Sequence, residues 1–436
     1  MNTERCIFGF TSYQWLVLFA AWLGWGFDVF DALLFNYVSR LCIPSLLGLS
    51  SDAPGIQATI TLWTGIVTSV LLVGWGIGGI AFGMLTDKIG RSKTLLITML
   101  TYSIATAACA LAPNIWVLLI FRFIASLGIG GEWAAGAALV AETVPEKKRV
   151  TAGALLYTAA PVGLFLATFV TDLFTRQLDT LASNTDLAWR AVFLTGLIPA
   201  IVAIIIRLRV REPEGFAIQA ELPQLRELFT PELRSKTLGG LGMAAVALIT
   251  WWSVSAFIPA IASFLAAEVD APHLALAADT KAYCLTLGTT AFNLGGLIGT
   301  LLTIPSAHLL GRRKMFGLYF LAAALSVWLS FSGEFDVHTR LYLFSTMGLS
   351  LFGIFGAFTF YLPELFPARL RGTGSGFCYN VARFVTALGP FLVASIAQNS
   401  TSTAQILSIV QWVAIVPALG FLLVVLGMGH ETGARA

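Results

Sequence analysis

Twelve apolar stretches, each long enough to cross a lipid bilayer, leave this 436-residue chain few ways to fold. They run over about 13–38, 59–84, 93–111, 115–143, 150–175, 188–209, 237–267, 282–307, 314–332, 340–362, 372–397 and 404–428. Roughly 20 residues at ~1.5 Å rise span a ~30 Å hydrocarbon core. Backbone amides find no water there, so only helices or a closed barrel can satisfy them. Continuous apolar runs, rather than ten-residue segments of alternating polarity, select helices. The chain is 57% hydrophobic and 11% charged, whereas a soluble domain carries about 25% charged residues. The expectation is an all-α membrane protein with twelve transmembrane helices.

The sequence also repeats itself. Gly90-Arg91-Ser92-Lys93 recurs as Gly311-Arg312-Arg313-Lys314. Glu142, Pro145, Arg149, Thr151 and Tyr157 recur as Glu364, Pro367, Arg371, Thr373 and Tyr379. The offset is half the chain, which predicts two six-helix, pseudo-symmetric halves at 1–209 and 237–436, joined by a cytoplasmic linker at 210–236 with a short surface helix at 221–229. Six spans per half is an even number, so the second half keeps the orientation of the first, a parallel repeat typical of secondary carriers. With an inside N-terminus, most of the 26 Lys and Arg fall on cytoplasmic segments. The positive-inside rule then places both termini in the cytoplasm of a multi-pass plasma membrane protein, the inner membrane in a bacterium. Glu4 and Arg5 precede an apolar run that continues as a full span, so no cleavable signal is expected.

Other classes lack their signatures. The five cysteines have no metal-ligand spacing and read as inert thiols, with a Cys42–Cys284 bridge near the outer surface left open. A phosphate-binding Gly-Lys-Ser/Thr loop is missing, so ATP hydrolysis is not the energy source. The four histidines, His273, His308, His338 and His430, fall at membrane edges, loops or the tail, which argues against a membrane enzyme. A net charge of +3 reflects topology and gives no reason to invoke nucleic acid.

Gly83-x-Leu85-x-Asp87-Lys88-x-Gly90-Arg91 resembles the loop 2–3 motif of the major facilitator superfamily. Arg122 followed by Gly128-Ile129-Gly130-Gly131 resembles its fourth-span motif, and Arg211-Glu212-Pro213-Glu214 its ending after the sixth span. Within that superfamily, Asp28-Val29-Phe30-Asp31 and the stretch from Pro363-Glu364-Leu365-Phe366-Pro367 to Arg383 are similar to the organic-anion:proton symporters, the aromatic-acid, sialate and lactate-type carriers. The resemblance implies that Asp87 and Arg91, with Glu142, lock the two halves in an outward-open state. Gly83, Gly90, Arg312 and Glu364 complete this cytoplasmic gate. Asp87 is also placed to receive the N-terminal amides of the eleventh helix, which begins near Gly372.

Ionisable residues inside spans are few: Asp28, Asp31, Arg122, Glu132 and Arg383. Each costs about 2.5–3.5 kcal/mol at mid-bilayer unless it is paired or faces water. Asp28 and Asp31 share a face of the first helix, and either can meet Arg122, since the first and fourth helices border the central cavity in this family. Two nearby carboxylates do not both ionise cheaply, so Asp28, Asp31, Arg122 and Glu132 are the expected proton-coupling group. Arg383, near the midplane and without an acidic neighbour in its own half, suits a substrate carboxylate, with Tyr379 and Asn380 beside it. Trp251, Trp252, Phe257, Asn293, Phe358 and Tyr361 are weaker candidates for the cavity wall. The expected function is proton-coupled symport of a small organic anion by alternating access, with no cofactor and by a monomer; a sugar or polyol symporter, or an efflux antiporter, is the alternative.

Overall fold

The computed structural model describes residues 9–50, 53–178, 184–210, 212, 223–255, 258, 261, 265, 277–332, 335–388 and 403–432. Every regular element among them is helical. The first half comprises α1 (Ser12–Leu47), α2 (Ile56–Ile89), α3 (Arg91–Cys109), α4 (Ile115–Thr143), α5 (Arg149–Tyr157), α6 (Ala159–Asp172), α7 (Thr185–Leu194) and α8 (Ile198–Arg209). The second comprises α9 (Arg234–Ser255), α10 (Ala277–Phe331), α11 (Val337–Glu364), α12 (Arg371–Asn380), α13 (Ala382–Thr386), α14 (Thr403–Gln411) and α15 (Ile415–Val425). Residues 211 and 213–222 of the expected linker, and Phe257, lie outside the described residues; the linker ends in a 3-10 turn at Leu225–Phe229.

Nine helical segments among the described residues are long and apolar enough to cross a membrane. The twelve expected spans are recovered once three details are read. The α10 helix carries two spans, because Gly311 breaks it with a φ of 79°. The eleventh span is α12 and α13, whose continuation lies outside the described residues. The third span, α3, fails only on hydropathy: Ser92, Thr94, Thr98, Thr101, Tyr102, Ser103 and Thr106 all carry hydroxyls.

Local chemistry sets the helix limits. Thr11 and Gln14 form a reciprocal capping box at the start of α1, with Thr11 Oγ1 accepting from the Gln14 amide at 3.2 Å. Asn114 Oδ1 caps α4 by accepting from the amides of Trp116 and Val117. The repeated glycines fall at equivalent breaks, Gly90 between α2 and α3 with φ 117° and Gly311 within α10. Both occupy left-handed backbone that a Cβ would strain. Cys42 and Cys284 are buried free thiols, so the bridge between them does not form.

The halves meet along α2 against α12 and along α5 against α10 and α11. Glycine lines the first seam: a Cβ on Gly376 would stand 2.5 Å from the Gly79 carbonyl, and one on Gly83 would stand 2.8 Å from the Gly372 carbonyl. Two helix backbones therefore touch there, as small residues permit in membranes. Gly376→Ala should overpack this seam at a cost of about 1–3 kcal/mol, lowering the thermal midpoint in detergent. Gly136→Ala, whose Cβ would meet nothing closer than 3.7 Å, should leave it unchanged.

Candidate functional site

Two constellations stand out, one at the basic end of the molecule and one buried near its middle. At the basic end, Asp87 closes α2 and points across the seam at the first turn of α12. Its carboxylate accepts from the Gly372 amide at 3.1 Å, the Thr373 amide at 2.7 Å and the Thr373 hydroxyl at 2.8 Å. This is an acid at a helix N-terminus, favoured by both the free amides and the dipole. Arg91 lies beside it, 3.3 Å from Asp87 and 2.9 Å from Glu142, and also donates to the Ala368 carbonyl of the second half. Glu142 in turn holds Arg371 at 3.1 Å, so one carboxylate ties α4 to both halves. Arg369 pairs with Glu227 on the linker turn.

The second copy of this arrangement is incomplete. Arg312 pairs with Glu364 at 3.3 Å, matching Arg91 with Glu142. His308, at the place of Asp87, is exposed. The other oxygen of Glu364 accepts from the Thr432 hydroxyl at 2.6 Å, within the same half.

Sequence reading missed a further pair. Glu212 accepts from the amides of Arg91, Ser92 and Lys93, capping α3. Glu431 accepts from Arg312 and Arg313, capping the helix that follows Gly311. Each glutamate fills the space over its glycine, since a Cβ would stand 2.5 Å from Glu212 at Gly90 and 2.6 Å from Glu431 at Gly311. The pair escaped notice because its spacing, 212 to 431, differs from that of both other repeats.

In the middle, Arg122 of α4 is fully buried, and its Nη1 lies 2.7 Å from Asp31 Oδ1, also fully buried. Its Nη2 donates to the Asp31 and Ala32 carbonyls at 3.1 and 3.2 Å. The Thr106 hydroxyl of α3 lies 2.6 and 2.7 Å from the two Asp31 oxygens. Of the two partners open to Arg122, the fold therefore selects Asp31. Asp28, one turn away on α1, is also fully buried, and neither of its oxygens has a hydrogen-bond partner. The charged groups that act on it are Glu132, Asp31 and, across the seam, Arg383.

Glu132 accepts from the Thr98 hydroxyl at 2.9 Å through Oε2, while Oε1 is unpaired. Space for that oxygen exists because residue 24 is glycine; a Cβ there would overlap it. Glu132 borders a small cleft with Ala21, Trp25, Trp133, Leu156 and, from the second half, Thr359.

Arg383 is 2% exposed. Its Nε donates to Asn380 Oδ1 at 3.0 Å, and its guanidinium lies 3.8 Å from the Trp75 ring centre and 5.1 Å from that of Tyr379. Stacking on an indole face stabilises the cation without consuming its in-plane donors. Tyr379 stacks on Trp133 at 4.1 Å, and the repeated tyrosines Tyr157 and Tyr379 both pack on the Phe355 ring at the centre. Trp25 and Phe355 extend this aromatic wall through Tyr157. Of the sequence candidates for the wall, Trp251 packs on Phe352 and Phe355, and Phe358 on Tyr379. Tyr361 lies toward the basic end, accepting from the His430 amide. Trp75, Trp133 and Tyr157 were missed, because stacking between halves depends on helix rotation that a linear sequence does not display.

The comparisons with known proteins fit this geometry. The Major Facilitator Superfamily profile matches residues 15–390. The chain belongs to the major facilitator superfamily. It is 28% identical to the cis,cis-muconate transport protein of Acinetobacter baylyi over 92% of this chain and 91% of that one. It is 28% identical to the inner membrane metabolite transport protein YhjE of Escherichia coli over 88% of each. Among solved structures, the proton:xylose symporter XylE bound to 6-bromo-6-deoxy-D-glucose superposes with a TM-score of 0.74 over 97% of both chains, at 18% identity. That likeness establishes the major facilitator fold. The protein is thus a multi-spanning membrane transporter, not an enzyme.

Removing the acceptors at the basic end should loosen the seam. Asp87→Ala should raise amide hydrogen exchange at Gly372 and Thr373 at least about tenfold, equivalent to 1.4 kcal/mol. His308→Ala, at the equivalent exposed position, should not change it.

Proposed function

We propose that this carrier imports a small organic anion together with protons by alternating access. The observation that carries the reading is the pair of opposed groups at the centre: Asp28, buried with both oxygens unpaired, and Arg383, whose charge acts on it from the other half. An ionised Asp28 is attracted to Arg383 and competes with an incoming anion. A proton on Asp28 removes that competitor and leaves the guanidinium fork to a substrate carboxylate, which it can bind bidentately. Anion and proton then load together, which is the requirement for symport. The Asp31–Arg122 pair holds the first half's charge balance while this exchange takes place, and Tyr379 and Asn380 orient Arg383.

The seam of Gly83, Asp87, Arg91 and Glu142 acts as the cytoplasmic gate, with Gly90 supplying its turn. Arg312 and Glu364 brace the second half. The three-way hydrogen bonding of Asp87 to α12 must break before the substrate leaves inward. A relative that transports cis,cis-muconate supports the anion class, and the inner membrane location of another supports placement there; the positive-inside distribution of Lys and Arg is what argues for cytoplasmic termini. The proton gradient supplies the energy, and one chain contains both halves of the site, so a monomer suffices.

The test is uptake into proteoliposomes across a panel of aliphatic carboxylates, aromatic carboxylates and sugars, with and without an imposed pH gradient. Carboxylate accumulation that follows the gradient is expected; sugar uptake that carboxylates do not compete with would overturn the reading. Asp28→Asn should abolish gradient-driven accumulation and keep substrate counterflow. Arg383→Lys retains the charge and loses the fork, and should raise KM about 10- to 100-fold.

A further inference from the structure

The least apolar span of the first half, α3, has an unexplained organisation. Thr98, Tyr102 and Thr106 recur every four residues, lie on one face and are all fully buried. Their opposite numbers are the three mid-span carboxyl groups of this half, Asp28, Asp31 and Glu132. Thr106 bonds Asp31, Thr98 bonds Glu132, and between them the Tyr102 hydroxyl is buried without a partner. The charges that reach that phenol are Asp28 and Asp31 from α1 and Glu132 from α4. Arg122 completes the ionisable set, already committed to Asp31. Close approach of α3 to α4 at this level depends on Gly128, where a Cβ would stand 2.8 Å from the Tyr102 amide nitrogen.

Among the unpaired polar atoms of this region are both oxygens of Asp28, Glu132 Oε1 and the Tyr102 hydroxyl. A buried unpaired hydroxyl costs roughly 1–3 kcal/mol, so structural need does not account for it. We infer that Tyr102 is a proton-relay residue linking Asp28 to Glu132 through the interior of the first half, apart from the substrate's path. This rests on the proton-coupled reading above. The line runs ~15 Å along α4 from Arg122 to Glu132, and ends at the cleft shared with Thr359 of the second half.

The step is a concerted hop. The Asp28 carboxyl O–H breaks and its proton passes, directly or through one water, to the Tyr102 oxygen. The phenol's own O–H breaks in the same event, and that proton bonds to a Glu132 carboxylate oxygen. Tyrosine is regenerated neutral, and nothing is oxidised or reduced.

The experiment needs no substrate. The reconstituted protein is transferred from H2O to D2O, and the carboxylic acid C=O bands are followed by infrared spectroscopy, with Asp28→Asn and Glu132→Gln assigning them. Tyr102→Phe should keep both bands and slow deuteration of the Glu132 band by about 100-fold. Its thermal midpoint should equal or exceed that of the unsubstituted protein, because an unpaired polar atom is removed; a structural hydroxyl would lower it. Deuteration of Glu132 at the unsubstituted rate in Tyr102→Phe, or a lowered midpoint with that rate kept, overturns the relay. Absence of any band assignable to Asp28 or Glu132 across the pH range in the unsubstituted protein would instead overturn proton carriage by these carboxyls, and the relay with it.

Discussion

A guanidinium without water must be neutralised by the protein around it, and the first half is built around meeting that demand at Arg122. Asp31 supplies the charge, two backbone carbonyls of α1 accept from Nη2, and Thr106 fixes the carboxylate from a third helix. Three helices are thereby pinned at one depth. Breaking such a pair by removing one partner costs about 3–5 kcal/mol, so it is a fixed post. Because Asp31 is spent on Arg122, Asp28 is left without a counter-ion in its own half. A rigid ion pair thus leaves an adjacent carboxyl unpaired, and among the described residues the cation whose charge reaches Asp28, Arg383, belongs to the other half.

The two halves touch by different means at different depths. In the centre the contact is aromatic, with Trp133 on Tyr379 and Tyr157 on Phe355. Toward the basic end it is backbone against backbone at glycines, then a carboxylate on helix amides. Stacked rings tolerate sliding because their attraction is broad, whereas the amide contacts are directional. A seam of this kind can hinge at its middle while it latches at one end. The carboxylates that cross the seam come from the Asp87 copy of the motif, since the second copy presents His308 to solvent and keeps Glu364 within its own half.

Much of this was legible in the sequence because bilayer physics leaves a strong imprint. Span number, helical class and the repeat follow from apolar run length and from matching Gly-Arg-x-Lys loops. The ionisable residues stood out by rarity, and Asp28, Asp31, Arg122, Glu132 and Arg383 all proved buried. Partner choice was not legible. Asp28 and Asp31 are equivalent on a helical wheel, and only the tilt of α1 against α4 gives Arg122 to Asp31. Trp75 was invisible as a guanidinium platform because it sits 308 residues from Arg383. Glu431 was passed over as tail, although the matching positive-φ glycines hold a place for both capping glutamates.

The hydroxyl-rich character of α3 also bears on how the chain is made. A segment is released into lipid during synthesis when its transfer free energy favours the bilayer, and α3 is the described complete span that falls short on hydropathy. Thr106 and Thr98 find carboxylate partners on α1 and α4, and Ser92 bonds the Val210 carbonyl after α8. The third span therefore owes less to lipid than the other complete spans and more to its neighbours, which supply charged acceptors that hydrocarbon cannot.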